Sequence, residues 1–302
     1  MKFETSFDMD YWKEFFHGES DIAHQYHKMD DEAQILVVTS TPQNYDKTKR
    51  PVVIIPGWFS QPTGWVKVTK LVSRKTKLVY IETREKNSSF VKRDKETRMG
   101  IERMSQDIFK LKDDLNIDIS KSIFMASSLG GSALLHFLHT SPIKPYKTVL
   151  MNPNPDFKLP PIIGRIVLSM PLFMIKMVKS YVKWHVLKFK MDPKKNPEQA
   201  KKYIATFDAA DPWKARSSAR HVTKFSAWVF LPKIDANVIL VSATTDKLHA
   251  SERIINIGKL IKKSQYIEFW SNLALHSDEF GQFLVDLSED KEIEGIQDIT
   301  NM

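Results

Sequence analysis

The chain of 302 residues contains no cysteine. That absence removes disulfide bridging, thiolate metal ligation and a cysteine nucleophile together, and it suits a reducing, cytoplasmic setting. No run reaches the ~20 apolar residues that a membrane-spanning helix needs. The longest hydrophobic region, 162–191, is broken by Arg165, Lys176, Lys179, Lys183, Lys188 and Lys190. The opening residues, MKFETSFDMDYWKEFF, place acids where a secretion signal needs an apolar segment, so no export signal is expected. Internal repeats and low-complexity tracts are missing. No cluster of His, Asp and Glu has convincing ligand spacing, so neither a metal nor a cofactor is expected.

What is present has the make-up of a globular protein, with 42% hydrophobic and 27% charged residues. The length allows one large core plus an inserted subdomain. The net charge of +9 is unevenly placed. Residues 158–233 hold 16 Lys or Arg against 4 Asp or Glu, a net +12, which leaves −3 for the rest.

Short apolar runs alternate with amphipathic stretches, the pattern of a mostly parallel, doubly wound sheet with helices on both faces. Strands are expected at 34–39, 51–55, 77–83, 122–126, 148–151, 238–242 and 265–270. Ile101, Met104, Ile108, Leu111 and Leu115 recur at steps of three and four and form one apolar stripe of a helix. Further helices are expected at 129–140, 251–262 and from Ser277, with an acidic tail from Ser288 that frays. Residues 153–233 break the alternation and read as several helices punctuated by prolines. The chain thus divides into an α/β core, 1–152 and 234–302, and a helical cap at 153–233 inserted after a central strand.

The sharpest local feature is the passage from strand to helix through Ala126-Ser127-Ser128-Leu129-Gly130. A serine at such a turn is exposed, and the helix that follows aims N–H groups at developing negative charge. The turn is tight, so the residues two before and two after the serine must be small; Ala126 and Gly130 are. The alternative reading of these residues, taken alone, is a strand–turn–helix with helix-capping serines.

Here the chain resembles the α/β-hydrolase superfamily, whose nucleophile elbow reads G-x-S-x-G; alanine stands at the first position. The resemblance covers nearly the whole chain except the cap. It implies an α/β-hydrolase fold and a triad in the order Ser, acid, His. Ser128 is the implied nucleophile. Asp246, in the loop after the 238–242 strand, is the acid, and His276, after the last long strand, is the base. Asp156 is the rival acid, and His249 the nearest competing histidine.

In that superfamily an HG-x loop helps form the oxyanion hole, and here Val52-Val-Ile-Ile-Pro56-Gly57-Trp58-Phe59 occupies its place, with Pro56 for histidine. Gly57 permits the close turn. The N–H groups of Trp58, or of Phe59 one residue on, and of Leu129 would bind the oxyanion. Serine at position 128 argues against dehalogenases and epoxide hydrolases, which need a carboxylate there.

In the cap, Lys176, Lys179, Lys183 and Lys190 form a narrow basic stripe among apolar and aromatic residues. One reading is a helix packed on the core with its lysines in solvent; the other is peripheral contact with an anionic membrane or an anionic substrate head. Gly57, Phe59, Trp184, Trp213 and Trp228 are expected to line an apolar chamber. These features point to a serine hydrolase of the esterase or monoacylglycerol-lipase kind, acting on a small hydrophobic ester. A thioesterase or acyltransferase for acyl-CoA-type substrates, a C–C bond hydrolase and a non-catalytic receptor stay open. Nucleic acid is not an expected partner, because the basic segment has few polar residues to read bases.

Overall fold

The computed structural model describes residues 9–158, 169–185, 188, 197–244 and 251–300. Among them a nine-stranded sheet has the order β1-β2-β4-β3-β5-β6-β7-β8-β9. Its strands are β1 (Ser20–Lys28), β2 (Gln34–Pro42), β3 (Val52–Ile55), β4 (Leu78–Ile81), β5 (Ile123–Ser127), β6 (Lys147–Met151), β7 (Val238–Ala243), β8 (Ser264–Phe269) and β9 (Gln297–Asp298). From β4 through β8 all neighbours are parallel, while β1, β2 and β9 pair antiparallel at the two edges.

The helices are α1 (Met9–Lys13), α2 (Val66–Lys75), α3 (Ile101–Asp114), α4 (Ser128–Thr140), α5 (Leu172–His185), α6 (Pro197–Ala209), α7 (Pro212–Val222), α8 (Ser251–Leu260) and α9 (Asp278–Ser288). Alternate side chains of each strand face opposite sides of the sheet. Val53, Ile55, Phe124 and Ala126 therefore join one core with residues of α3, α4 and α8. Val52, Ile54, Ile123 and Met125 join the other, with residues of α1, α2 and α9. Strands buried on both faces read as continuous apolar runs, which is why they are visible in sequence.

The structure departs from expectation at three places. β1 is an unexpected strand whose half-exposed sequence, SDIAHQYHK, carries little apolar signal. The tail does not fray: Lys49 and Arg50 pair with Glu289 and Asp290, β9 adds to β8, and Ile299 is buried in the core. The core also reaches into the segment assigned to the cap, because Val222, Phe225, Ala227 and Leu231 pack in the same cluster as Ala133 and Leu134.

Candidate active site

Because β3 to β8 are parallel, the segments that follow them share one edge of the sheet, where open α/β sheets bind ligands. That edge collects Gly57 to Ser60 after β3, Glu82 to Phe90 after β4, Ser128 after β5, Asn154 and Asp156 after β6, and His276 after β8.

At Ser128 the backbone turns from extended strand to helix in a single residue. Ser127 is extended (φ −116°, ψ 138°), whereas Ser128 has φ 49°, a left-handed conformation that is rare outside glycine. The helix that begins there has no side-chain cap, so its first N–H groups stay available. Gly57 lies close by: a Cβ on it would sit 3.2 Å from the Ser128 Cβ and 3.2 Å from Ser127 Oγ. Asn154 donates its amide to Ser128 Oγ at 3.3 Å, and its own carbonyl accepts from Ser132 Oγ at 2.7 Å.

The 57–60 loop rests on buried charge. Phe59 is also left-handed (φ 51°), and its N–H donates to Glu85 Oε1 at 3.3 Å. The Trp58 N–H makes no such bond among the described residues. The buried ammonium of Lys86 donates to the carbonyls of Gly57 and Ser60, and the buried ammonium of Lys214, from α7, donates to those of Lys86 and Ser89. Trp58 stacks on Phe59 and donates its indole N–H to Ser218 of α7 at 3.2 Å. Trp65 donates to Ser60 Oγ at 3.0 Å and places its ring edge-on to His276, centroids 4.5 Å apart. The loop thereby links the Ser128 turn to the His276 segment.

Burial pushes Lys214 down to about 8 and pushes the Glu82 carboxyl up to about 6, Lys86 and Ser88 partly opposing the latter. The folded protein therefore retains a proton on Glu82 that the unfolded chain, at its ordinary 4.5, has already released. Stability falls as pH rises across that interval, by about 2 kcal/mol from this group. Glu82→Gln is expected to remove the loss. Urea unfolding at pH 4.5 and pH 7 should show the Gln variant gaining about 2 kcal/mol on the parent between the two.

Of the other expected site residues, Asp246 and its neighbour His249 lie outside the described residues. The rival acid Asp156 has both oxygens engaged, Oδ2 by the Trp228 indole at 2.9 Å and Oδ1 by Arg253. Burial raises its carboxyl, but these bonds and the Arg253 charge outweigh that and hold it below its ordinary value. Trp228 is thus tied to Asp156, and Trp213 is half-buried in the first turn of α7. Trp184 is a correction: it lies exposed on α5 beside Tyr181, not in an enclosed chamber. Its place on the apolar side of α5 is the reason, since that side faces solvent. Phe157, edge-on to Trp58, adds to the aromatic wall instead.

Sequence reading missed Asn154, Glu85, Lys86 and Lys214. The run Arg84-Glu-Lys-Asn-Ser-Ser89 looks like a solvated loop, because charged residues are seldom fully buried. The only signal was its place, directly after a strand of the parallel sheet.

No family model and no curated protein matches the chain by sequence. Solved structures do match. An enol-lactonase from Burkholderia xenovorans superposes with TM-score 0.70 at 14% identity, over 87% of this chain and 98% of that one. An esterase from Exiguobacterium antarcticum gives 0.69 at 17%, over 88% and 100%. A bacterial membrane phospholipase A gives 0.66 at 12%, over 89% and 87%. With its strand order and its helices on both faces, the chain has the α/β-hydrolase fold.

Proposed function

We propose that the chain is a serine hydrolase that cleaves a carboxylic ester with a hydrophobic acyl group through an acyl-enzyme. The observation that carries this reading is Ser128 in a left-handed turn between β5 and α4, with Gly57 against its Cβ. Strained backbone of this kind persists where the surrounding structure over-determines it, and it clusters at functional sites. Esterases and a lactonase among the structural neighbours support the same chemistry.

In this reading Ser128 Oγ attacks the acyl carbonyl and His276 accepts its proton. Asp246 orients the imidazole and stabilises the imidazolium. The bonds of Asp156 to Trp228 and Arg253 support Asp246 over it in that role. The N–H groups of Trp58 and Leu129 bind the oxyanion, since that of Phe59 is spent on Glu85. Lys86 holds the loop that carries the Trp58 N–H. His276 then protonates the leaving alcohol, and water releases the acid. Trp58, Phe59 and Phe157 offer the acyl chain an apolar wall.

A fluorophosphonate probe and a panel of p-nitrophenyl esters of graded chain length test the reading. Labelling of Ser128 with turnover of the longer esters is expected. Failure to label would favour a receptor, and preference for acyl-CoA over every ester would favour a thioesterase.

Asn154→Ala is expected to lower kcat about tenfold, the worth of one hydrogen bond of about 1.4 kcal/mol, with little change in KM. Steady-state kinetics at an unchanged unfolding midpoint check this.

A further inference from the structure

Helix α5 sits in the fold the wrong way out for a soluble protein. Phe173, Met177, Tyr181 and Trp184 follow one another at steps of four, four and three, so they share one helix face. That face is open, with relative exposures of 68%, 71%, 62% and 48%, and Met174 beside it is exposed as well. Lys179 and Lys183 are turned the other way. Lys179 donates to the carbonyls of Asp208 and Ala210 at 3.1 and 2.9 Å, and Lys183 pairs with both Asp208 oxygens at 2.6 and 2.7 Å. Arg216 of α7 donates to the Met170 carbonyl at 2.8 Å and pins the segment just before the helix. Rotating α5 to bury its apolar face would break all of these bonds.

We propose that this face of α5 docks on an anionic lipid surface and seats its apolar side chains among headgroups and upper acyl chains. Three observations favour lipid over a protein partner. The exposed set ends in Tyr181 and Trp184, whose amphipathic rings suit the membrane–water interface. Lys188 stands over the Trp184 ring at 4.9 Å, a cation at the level where headgroup phosphates lie. The segment 158–233 carries +12 against −3 elsewhere, so the excess positive charge lies in the part of the chain that holds α5 and favours an anionic surface. Such a helix lies in the interface and does not span, in keeping with no described helix being long and apolar enough to cross a membrane. The helix also packs on α7, whose Ser218 holds the Trp58 indole, so α5 is joined through α7 to the loop beside Ser128.

The inference does not rest on the hydrolase reading, and its test reads binding rather than turnover. The full chain is floated with vesicles of phosphatidylcholine containing one quarter phosphatidylglycerol, and with vesicles of phosphatidylcholine alone. Binding to the anionic vesicles is expected, about tenfold weaker on the neutral ones and about tenfold weaker again for Phe173→Glu/Met177→Glu at an unchanged unfolding midpoint. Acyl-chain-brominated lipid should quench part of the tryptophan emission, and Trp184→Phe should abolish that part. A parent chain that floats with neither vesicle overturns the proposal. So does a parent that sediments as a dimer which the double variant dissociates, because the face then joins two copies.

Discussion

Ser128→Ala is expected to lower ester turnover by at least about 10⁴-fold while leaving the fold intact. Removing the nucleophile of a triad removes the covalent step, and what survives is the rate that the oxyanion hole and binding provide alone. Ser127→Ala separates the two adjacent serines. Ser127 is extended and ends β5, so its loss should leave most activity. Ser128→Gly adds a second, independent reading of the same position. It is expected to be equally inactive, but glycine occupies φ 49° without the Cβ clash that costs other residues about 1–2 kcal/mol. The glycine variant should therefore unfold about 1 kcal/mol later than the alanine variant, as measured by urea titration. Full turnover in Ser128→Ala would remove this serine from the chemistry. Equal stability of the two variants would remove the strain.

The residues that were legible are those whose role depends on sequence-local physics. Ala126 and Gly130 announce the turn because only small residues fit two positions either side of Ser128. Gly57 announces the second loop because a strand ending in Pro-Gly must turn there. The central strands announce themselves by being apolar throughout. What was not legible depends on tertiary context. Lys86 and Lys214 look like solvent residues until the fold wraps backbone carbonyls around both ammonium groups. Lys179 and Lys183 of α5 were visible in sequence as part of a stripe, but the direction they take was not, because Asp208 sits in a different helix. β1 carries polar residues on its open face and therefore lacks the apolar run that marked its neighbours. The tail reads as frayed from charge alone, yet Arg50 and Lys49 come from far upstream to neutralise it.

Gly130→Ala is expected to damage stability and turnover together, although alanine is the better helix former. In a solvent-facing helix the change would gain about 1 kcal/mol. Here a Cβ at position 130 would sit 2.5 Å from the Ile55 carbonyl and 2.6 Å from that of Pro56. Both atoms are backbone, at the end of β3 and the start of the Gly57 loop, so no side chain can swing aside. Either α4 lifts off the sheet or the loop moves away from Ser128. Overpacking of this kind costs about 3 kcal/mol. A displacement near 1 Å between nucleophile and oxyanion donors costs about 10²-fold in rate. Gly131→Ala is the control one residue along. Its Cβ would approach the Pro153 side chain at 3.1 Å and the Pro153 Cα at 3.2 Å, in a loop that can yield by a few tenths of an ångström. It should change stability by less than about 1 kcal/mol, because that small adjustment is offset by the better helix propensity of alanine. Urea unfolding and ester turnover of both variants check the contrast. The decisive result is a Gly130→Ala protein that is folded and active to the same degree as Gly131→Ala, since the β3 loop would then not be packed against the elbow through that glycine.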